Sequence, residues 1–121
     1  AVIERDMDCT PLGLPLYVSP GDEEQMIITQ TKHDSLFVCG TGDSFSVPHI
    51  NYQICEMEAY ALAKVCHKFC VPFDCYKYIS DSDADGEDQG NEWRENAHKG
   101  AELFTSTVLD KEVTEEQLEL I

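Results

Sequence analysis

Residues 55–81, CEMEAYALAKVCHKFCVPFDCYKYISD, contain the pattern that decides the fold. The first half is rich in strong helix formers, which predicts an amphipathic helix over 57–70. The residues that share one face of it, at spacings of three and four, are Glu58, Ala61, Leu62, Val65, Cys66 and Phe69. Val71 and Pro72 end this helix, and the aromatic and β-branched residues of 73–79 predict a strand. A helix followed directly by a strand is typical of an α/β fold.

The sequence on the amino-terminal side predicts the partners of that strand. Further strands are predicted by short apolar runs at 26–31, 35–40 and 52–55. Residues 1–9 predict the end of another strand, and the Pro and Gly residues of 10–22 predict a loop. The order of strand, loop, helix, strand, loop and helix along the chain is an α/β pattern with a right-handed crossover at its centre.

The carboxyl-terminal side predicts two more helices. The first covers 91–110, and its apolar stripe consists of Trp93, Ala97, Ala101, Phe104 and Val108. The second is a short acidic helix that begins at a capping box over 114–117. An acidic loop at 80–91 separates the predicted strand from these helices.

Composition and charge exclude several classes of function. The 24 Asp and Glu residues outnumber the 8 Lys and Arg residues, for a net charge of −16, which would repel a phosphate backbone and excludes nucleic-acid binding as the main activity. With 42% hydrophobic residues the chain can build a core. No apolar run approaches the ~20 residues of a membrane span, and no signal-peptide pattern opens the chain. We expect a cytoplasmic protein with no membrane partner.

The six cysteines contain no CxxC pair. Cys39, Cys55, Cys66 and Cys75 lie among apolar residues, which favours buried, reduced thiols. On a helix Cys66 and Cys70 would share a face beside His67, but two ligands do not make a structural zinc site. The sequence therefore predicts no structural metal and no cofactor.

Three segments that follow predicted strands carry polar, chemistry-bearing side chains. They are GTGDSF at 40–45, EME at 56–58 and SDSDADG at 80–86. Since ligands of open α/β sheets bind at the carboxyl ends of the strands, we expect the three segments to meet at one crevice.

Taken together, these segments resemble a known family. CGTGDSF (39–45), CEMEAYALAKVCHKFCVPF (55–73) and YISDSDADG (78–86) are similar to the C-terminal half of the nucleoside phosphorylase/nucleosidase superfamily, in particular to methylthioadenosine/S-adenosylhomocysteine nucleosidase-like proteins. RDMDCTPLG (5–13) resembles the middle segment of that family. The resemblance implies that residues 1–110 form part of a three-layer α/β/α sandwich with a central mixed sheet, followed by an acidic helix or tail at 111–121.

This resemblance implies a reaction, the cleavage of the N-glycosidic bond of a purine nucleoside. It gives Asp81 the role of a general acid that protonates the leaving purine, with Ser80 orienting it. It places Glu58 against the ribose hydroxyls, with Glu56 beside it, and Met57 against the sugar.

The purine itself is assigned to the first segment. Phe45 would stack on the base, and the backbone around Ser46 would bind its edge. Simpler interpretations remain for two of the polar residues: Asp81 could be a turn or N-cap residue, and Glu58 could only complement the helix dipole.

The chain also departs from the family pattern. Family members are about twice as long, and their N-terminal half carries the glutamate that activates the attacking water. The chain begins at Ala1 rather than Met, as expected for a piece of a larger protein. We therefore expect a companion chain, or a second copy in a homo-oligomer, to complete the site. A phosphorylase would need basic side chains to bind phosphate. Because Arg5 and Arg94 are the only arginines in the sequence, we favour hydrolysis over phosphorolysis. The alternative is a non-catalytic protein that binds or sequesters nucleosides or nucleotides.

A calcium site is a further alternative. Residues Asp81, Asp83, Asp85, Gly86 and Glu92 match the EF-hand pattern D-x-D-x-D-G-x5-E. An EF-hand needs a helix before its loop, whereas here a strand is predicted, and loop position 8 is the polar Asp88. We therefore favour the nucleosidase interpretation and predict no metal.

Overall fold

The structure is a computed structural model that describes residues 1–29, 37–44, 51–82 and 89–109, with the backbone alone at 89 and 90. The chain divides into two compact units, Ala1–Cys75 and Tyr76–Ile121, which we call the N-terminal and C-terminal units. Several predictions fall outside the described residues: Phe45 and Ser46, the loop residues 83–88, the capping box at 114–117 and the tail at 111–121.

The N-terminal unit is built on a parallel sheet. Its strands are β1 (Val2–Glu4), β2 (Cys39–Thr41) and β3 (Ile54–Glu56), in the order β1-β2-β3. The register places Glu4, Thr41 and Glu56, the last residues of the three strands, side by side. This sheet and the helices that follow it confirm the predicted α/β class.

Within the described residues of the N-terminal unit, one α-helix covers one face of this sheet. Helix α1 (Ala59–Lys68) packs against β1 and β2. The core that it forms with the sheet consists of Val2, Ile28, Cys39, Ala59, Tyr60 and Ala63. The helix ends as predicted before Val71 and Pro72, with Cys70 in the left-handed region at φ +56°.

Not every feature of α1 was predicted correctly. The predicted apolar stripe contains Leu62, Val65 and Phe69, yet these side chains are between 57% and 69% exposed. The buried positions are the small Ala59 and Ala63 together with Tyr60. The stripe therefore lies on the face of α1 that is turned away from the core of the N-terminal unit.

Two predicted strands also differ from the structure. In the described part of 26–31, Ile28 makes only an isolated antiparallel bridge to Val2, with two backbone hydrogen bonds of 2.8 and 3.1 Å. Residues 73–79 form no strand, because no described segment forms a ladder with them. β2 and β3 begin further along the chain than predicted, at Cys39 and Ile54.

The described part of the C-terminal unit consists of a non-helical segment followed by helices. Helix α2 (Gln89–Asn96) and helix α3 (Lys99–Phe104) replace the single helix predicted over 91–110, and α3 continues into a π-helical turn, Thr105–Leu109. Tyr76 and Tyr78 of the predicted strand pack on α3 instead of joining a sheet, whereas Phe73 packs against the core of the N-terminal unit. Tyr76 meets Phe104 edge to face with ring centroids 6.2 Å apart.

None of the six cysteines forms a disulfide bond, but burial differs from the prediction: Cys39 is buried and Cys55 is exposed. In the part of the chain that the structure describes, no helix is long and apolar enough to cross a bilayer.

Candidate functional site

The carboxyl end of the sheet carries a polar cluster in the N-terminal unit. The Thr41 hydroxyl donates a hydrogen bond to Glu56 Oε1 and accepts one of 2.9 Å from the Tyr60 backbone N–H. Glu56 Oε2 accepts hydrogen bonds of 2.7 Å from the backbone N–H groups of Glu58 and Ala59. Glu56 thereby caps the N-terminus of α1, where unpaired N–H groups and the helix dipole favour a carboxylate.

Met57 and Glu58 lie between β3 and α1, at the same edge of the sheet. Both side chains are exposed, Met57 to 45%. The structure thus brings Glu56, Met57 and Glu58 together but uses them differently. The Glu56 carboxylate is bound to the helix terminus, while Met57 and Glu58 face outward, where a ligand can reach them. Substrate binding by these three residues stays a prediction.

Two residues that the sequence did not single out hold the segment after β2. Arg5 is 6% exposed, and its guanidinium donates to the carbonyl oxygens of Gly40 (3.0 Å), Gly42 (3.3 Å) and Ser44 (2.7 Å). Asp6 Oδ2 accepts from the N–H groups of Asp43 (2.8 Å) and Ser44 (2.7 Å). The signals in the sequence are a charged pair within the predicted strand end at 1–9 and the resemblance of RDMDCTPLG (5–13) to the middle segment of the family.

Burial alone would raise the pKa of Asp6, but hydrogen bonds from Ser44 and Asp43 and the charge of Arg5 outweigh it and hold that pKa below its usual value. The neighbouring Glu4 behaves in the opposite way. Burial first, and then the charge of Asp6, raise the pKa of Glu4. Among the described residues its Oε2 is the one buried side-chain polar atom without a hydrogen-bond partner.

The predicted acid lies in the C-terminal unit. The Ser80 hydroxyl donates to Asp81 Oδ1 over 2.5 Å, and both side chains are half-buried. Glu92 Oε2 accepts a long hydrogen bond of 3.4 Å from the Ser82 N–H, which joins this segment to α2. The structure therefore orients the Asp81 carboxyl through Ser80. That this acid and Glu58 share one crevice stays a prediction.

An apolar groove of about 380 Å³ lies beside Ser80. Its lining residues are Tyr78, Ser80, Trp93, Ala97, Gly100, Ala101 and Phe104. Gly100 allows the close approach of Tyr78, because a Cβ at position 100 would lie 2.7 Å from the ring. Four of the five residues of the predicted helical stripe line this groove, although they lie on α2, on α3 and in the turn between them rather than on one helix.

The calcium alternative receives no support from the described residues. Within the described ranges no three His, Cys, Asp or Glu side chains are close enough to hold a metal ion. Residues 71–80 form no helix before the acidic loop, contrary to what an EF-hand requires. Asp83 and Asp85 lie outside the described residues.

Comparison with known proteins gave one match. A family model described as the phosphorylase superfamily matches residues 36–110. No curated protein and no solved structure matched the chain. The matched segment contains the end of β2, the Glu56–Glu58 edge and the Ser80–Asp81 pair, and it excludes Arg5 and Asp6.

Proposed function

This chain belongs to the phosphorylase superfamily, and from that membership we propose that it cleaves the N-glycosidic bond of a purine nucleoside. The superfamily contains nucleoside phosphorylases and nucleosidases, so the bond between a sugar and a base is the general target. Within this range we propose hydrolysis of a methylthioadenosine- or S-adenosylhomocysteine-like nucleoside.

The observation that carries the proposal is the 2.5 Å hydrogen bond from Ser80 to Asp81. In the proposed reaction the bond between C1′ and the purine breaks, and its electron pair leaves with the base. Asp81 gives its proton to the purine, so that the base departs neutral, and water adds to C1′ and loses a proton. An oriented general acid typically contributes about 10²–10⁴-fold to such a step. Ser80 supplies the orientation.

The sugar is assigned to the exposed edge after β3. We propose that Glu58 accepts hydrogen bonds from the ribose hydroxyls and that Met57 packs on the sugar, while Glu56 holds the start of α1 beneath them. Phe45 and Ser46, which follow Ser44 along the chain, are proposed to contact the purine. The exposure of Met57 and Glu58 supports this assignment.

We further propose that a companion chain or a second copy completes a three-layer α/β/α sandwich and supplies the group that activates water. The exposed apolar stripe of Leu62, Val65 and Phe69 supports such a partner, because apolar surface of this kind is usually covered. Hydrolysis is preferred to phosphorolysis because Arg5 is buried against three carbonyl oxygens, which leaves Arg94 as the exposed arginine.

The test follows release of free base by chromatography. The purified full-length protein is incubated with methylthioadenosine, S-adenosylhomocysteine, adenosine and inosine, each with and without phosphate. We expect base release without phosphate, and a loss of kcat of at least about a hundredfold for Asp81→Asn. The matched control is Glu95→Gln, which removes a charge from an exposed position on α2 and should leave the rate unchanged.

Two results would contradict the proposal. Base release by Asp81→Asn at the native rate would remove Asp81 as the acid. Tight nucleoside binding without any base release would favour the sequestering protein over the enzyme. Release that needs phosphate would replace hydrolysis by phosphorolysis while keeping the substrate class.

A further inference from the structure

We propose that Arg5 and Asp6 are positioning residues of the nucleoside site, which hold the Gly42–Ser44 segment at the end of β2 in the geometry that purine binding requires. This inference rests on the proposed function, because it takes the residues after Ser44 as the purine contacts. The family match begins at residue 36 and assigns nothing to Arg5 or Asp6.

Arg5 holds the carbonyl side of the segment. Its Nε and Nη2 donate hydrogen bonds to three carbonyl oxygens, on Gly40, Gly42 and Ser44. A single side chain, directly after β1, therefore binds the backbone at three points between β2 and the loop that follows it. Hydrogen bonds from a guanidinium are charge-assisted and planar, and they restrict direction as well as distance. Arg5 itself is only 6% exposed, so little water competes for its guanidinium.

Asp6 holds the amide side of the same segment. One of its oxygens accepts from the N–H groups of both Asp43 and Ser44, at 2.8 and 2.7 Å. The carboxylate also lies 3.8 Å from the Arg5 guanidinium, which balances its charge. Ser44 is therefore fixed at both ends of its backbone, through its N–H by Asp6 and through its carbonyl by Arg5.

Two glycines make this close approach sterically possible. A Cβ at Gly42 would lie 2.4 Å from Asp6 Cγ, and one at Gly40 would lie 2.7 Å from the Tyr52 ring and 3.0 Å from Arg5 Cδ. Real Cβ atoms do not approach other atoms so closely, so a larger residue at either position would displace the clamping side chain. The GTG sequence of 40–42 and the RD sequence of 5–6 thus fit one another.

The consequence for the site follows from connectivity. Ser44 immediately precedes Phe45 and Ser46, the proposed purine contacts. Binding a planar base between fixed groups is sensitive to their placement, and pre-ordering a loop lowers the entropy cost of binding. Loosening Ser44 should therefore weaken nucleoside binding even though neither Arg5 nor Asp6 contacts the ligand.

The experiment compares three variants of the full-length protein. Asp6→Ala removes the acceptor for both amides. Asp6→Asn keeps an oxygen that can accept them and removes the charge. Asp8→Ala is the matched control, since Asp8 is an exposed aspartate two residues later whose hydrogen bonds within the described residues go to Thr10. Hydrogen exchange of the Asp43 and Ser44 amides reports the clamp, and calorimetry with methylthioadenosine reports binding.

We expect Asp6→Ala to accelerate exchange at Asp43 and Ser44 and to raise the Kd for methylthioadenosine about tenfold, with a matching rise in KM at nearly constant kcat. Asp6→Asn should restore most of the binding, and Asp8→Ala should behave as the native protein. A merely structural role would instead change exchange throughout the unit without separating Asn from Ala.

The outcomes separate this inference from the proposed function. If the native protein binds methylthioadenosine and Asp6→Ala binds it equally well, or if exchange at Asp43 and Ser44 is unchanged, the positioning role is wrong and the proposed function stands. If the native protein neither binds nor cleaves any of the nucleosides, the proposed function is wrong and the positioning role is withdrawn with it.

Discussion

In the N-terminal unit, Arg5 and Asp6 hold the end of β2 through five hydrogen bonds to backbone groups, whereas in the C-terminal unit aromatic rings and small residues line an open groove beside Ser80. Charged hydrogen bonds fix both distance and direction, while apolar contacts depend mainly on the area that is covered. The N-terminal unit is therefore suited to precise placement of backbone, and the C-terminal unit tolerates adjustment around its acid.

The largest expected loss of stability comes from replacing Arg5. Replacing it in Arg5→Met leaves three carbonyl oxygens without their donor and Asp6 without its counter-charge in a buried setting. Breaking a buried ion pair by removing one partner typically costs about 3 kcal/mol or more, so we expect a loss of that size in the free energy of unfolding, measured with urea. The control Arg94→Met removes an exposed arginine from α2 and should change stability by less than about 0.5 kcal/mol. Equal losses in both variants would mean that the three carbonyl contacts contribute little.

The next effect tests packing in the C-terminal unit. Gly100→Ala places a Cβ 2.7 Å from the Tyr78 ring. Alanine favours the helix by about 1 kcal/mol over glycine, but overpacking costs about 1–3 kcal/mol, so we expect a net loss of about 1 kcal/mol. In a Tyr78→Gly background both the ring and the Cβ that lies at 3.0 Å are absent, and the same substitution should stabilise by about 1 kcal/mol. A double-mutant cycle in urea measures the difference, and simple additivity would show that the ring moves aside freely.

The sequence predicted features that depend on local interactions better than features that depend on distant partners. Periodicity identified α1 within two residues at each end, because Pro72 and the helix formers act locally. The same periodicity gave the wrong core face, since a stripe of Leu62, Val65 and Phe69 states only that a face is apolar, not which surface covers it. The strand at 73–79 failed for a related reason, because a strand exists only where a partner forms the ladder.

The residues of the candidate site likewise divide into those that the sequence could predict and those that it could not. Ser80 next to Asp81 was predictable, because the two residues are adjacent in sequence and their hydrogen bond is local. Arg5 and Asp6 were not, since their partners lie at least 35 residues away, and only the fold brings the RD and GTG sequences together. Glu56 was predicted as a ligand, while the structure shows it capping α1, a role that depends on where the helix begins.

A pH-dependent effect is expected from Glu4, the buried acid beside the clamp. Burial raises the pKa of Glu4 above the ordinary value of 4.5, so the folded state favours the protonated form. Its contribution to stability is fully present below the unfolded pKa and is lost as the pH rises through the folded pKa. We expect Glu4→Gln to remove this loss. The stability of the variant minus that of the native protein should therefore rise with pH from about 4 upward. It should approach roughly 1 kcal/mol, the free-energy cost of one unsatisfied buried acceptor.

Urea titrations of both proteins between acid and neutral pH measure the difference. The control is Asp8→Asn. Hydrogen bonds from Thr10 hold the pKa of Asp8 below its usual value, so its contribution is present above the unfolded pKa and is lost as the pH falls. The stability of Asp8→Asn minus that of the native protein should therefore fall as the pH rises, whereas the same difference for Glu4→Gln rises. Slopes of the same sign at both positions would contradict the assignment of Glu4 as an unsatisfied buried acid.

The smallest effect concerns the end of α1. Cys70 adopts φ +56°, its N–H bonds to the His67 carbonyl, and the Val71 N–H bonds to the Cys66 carbonyl over 2.8 Å, the hydrogen-bond pair of a Schellman motif. A side chain at this left-handed position costs about 1 kcal/mol, partly offset by the greater freedom of glycine in the unfolded chain. We therefore expect Cys70→Gly to stabilise by about 0.5 kcal/mol. Cys66→Gly, inside the same helix, should destabilise by about 1 kcal/mol. Both variants replace a cysteine by glycine at the same helix, so opposite shifts of their urea midpoints would identify the backbone conformation as the cause. A loss of stability in Cys70→Gly would show that the left-handed conformation of Cys70 does not strain the end of α1.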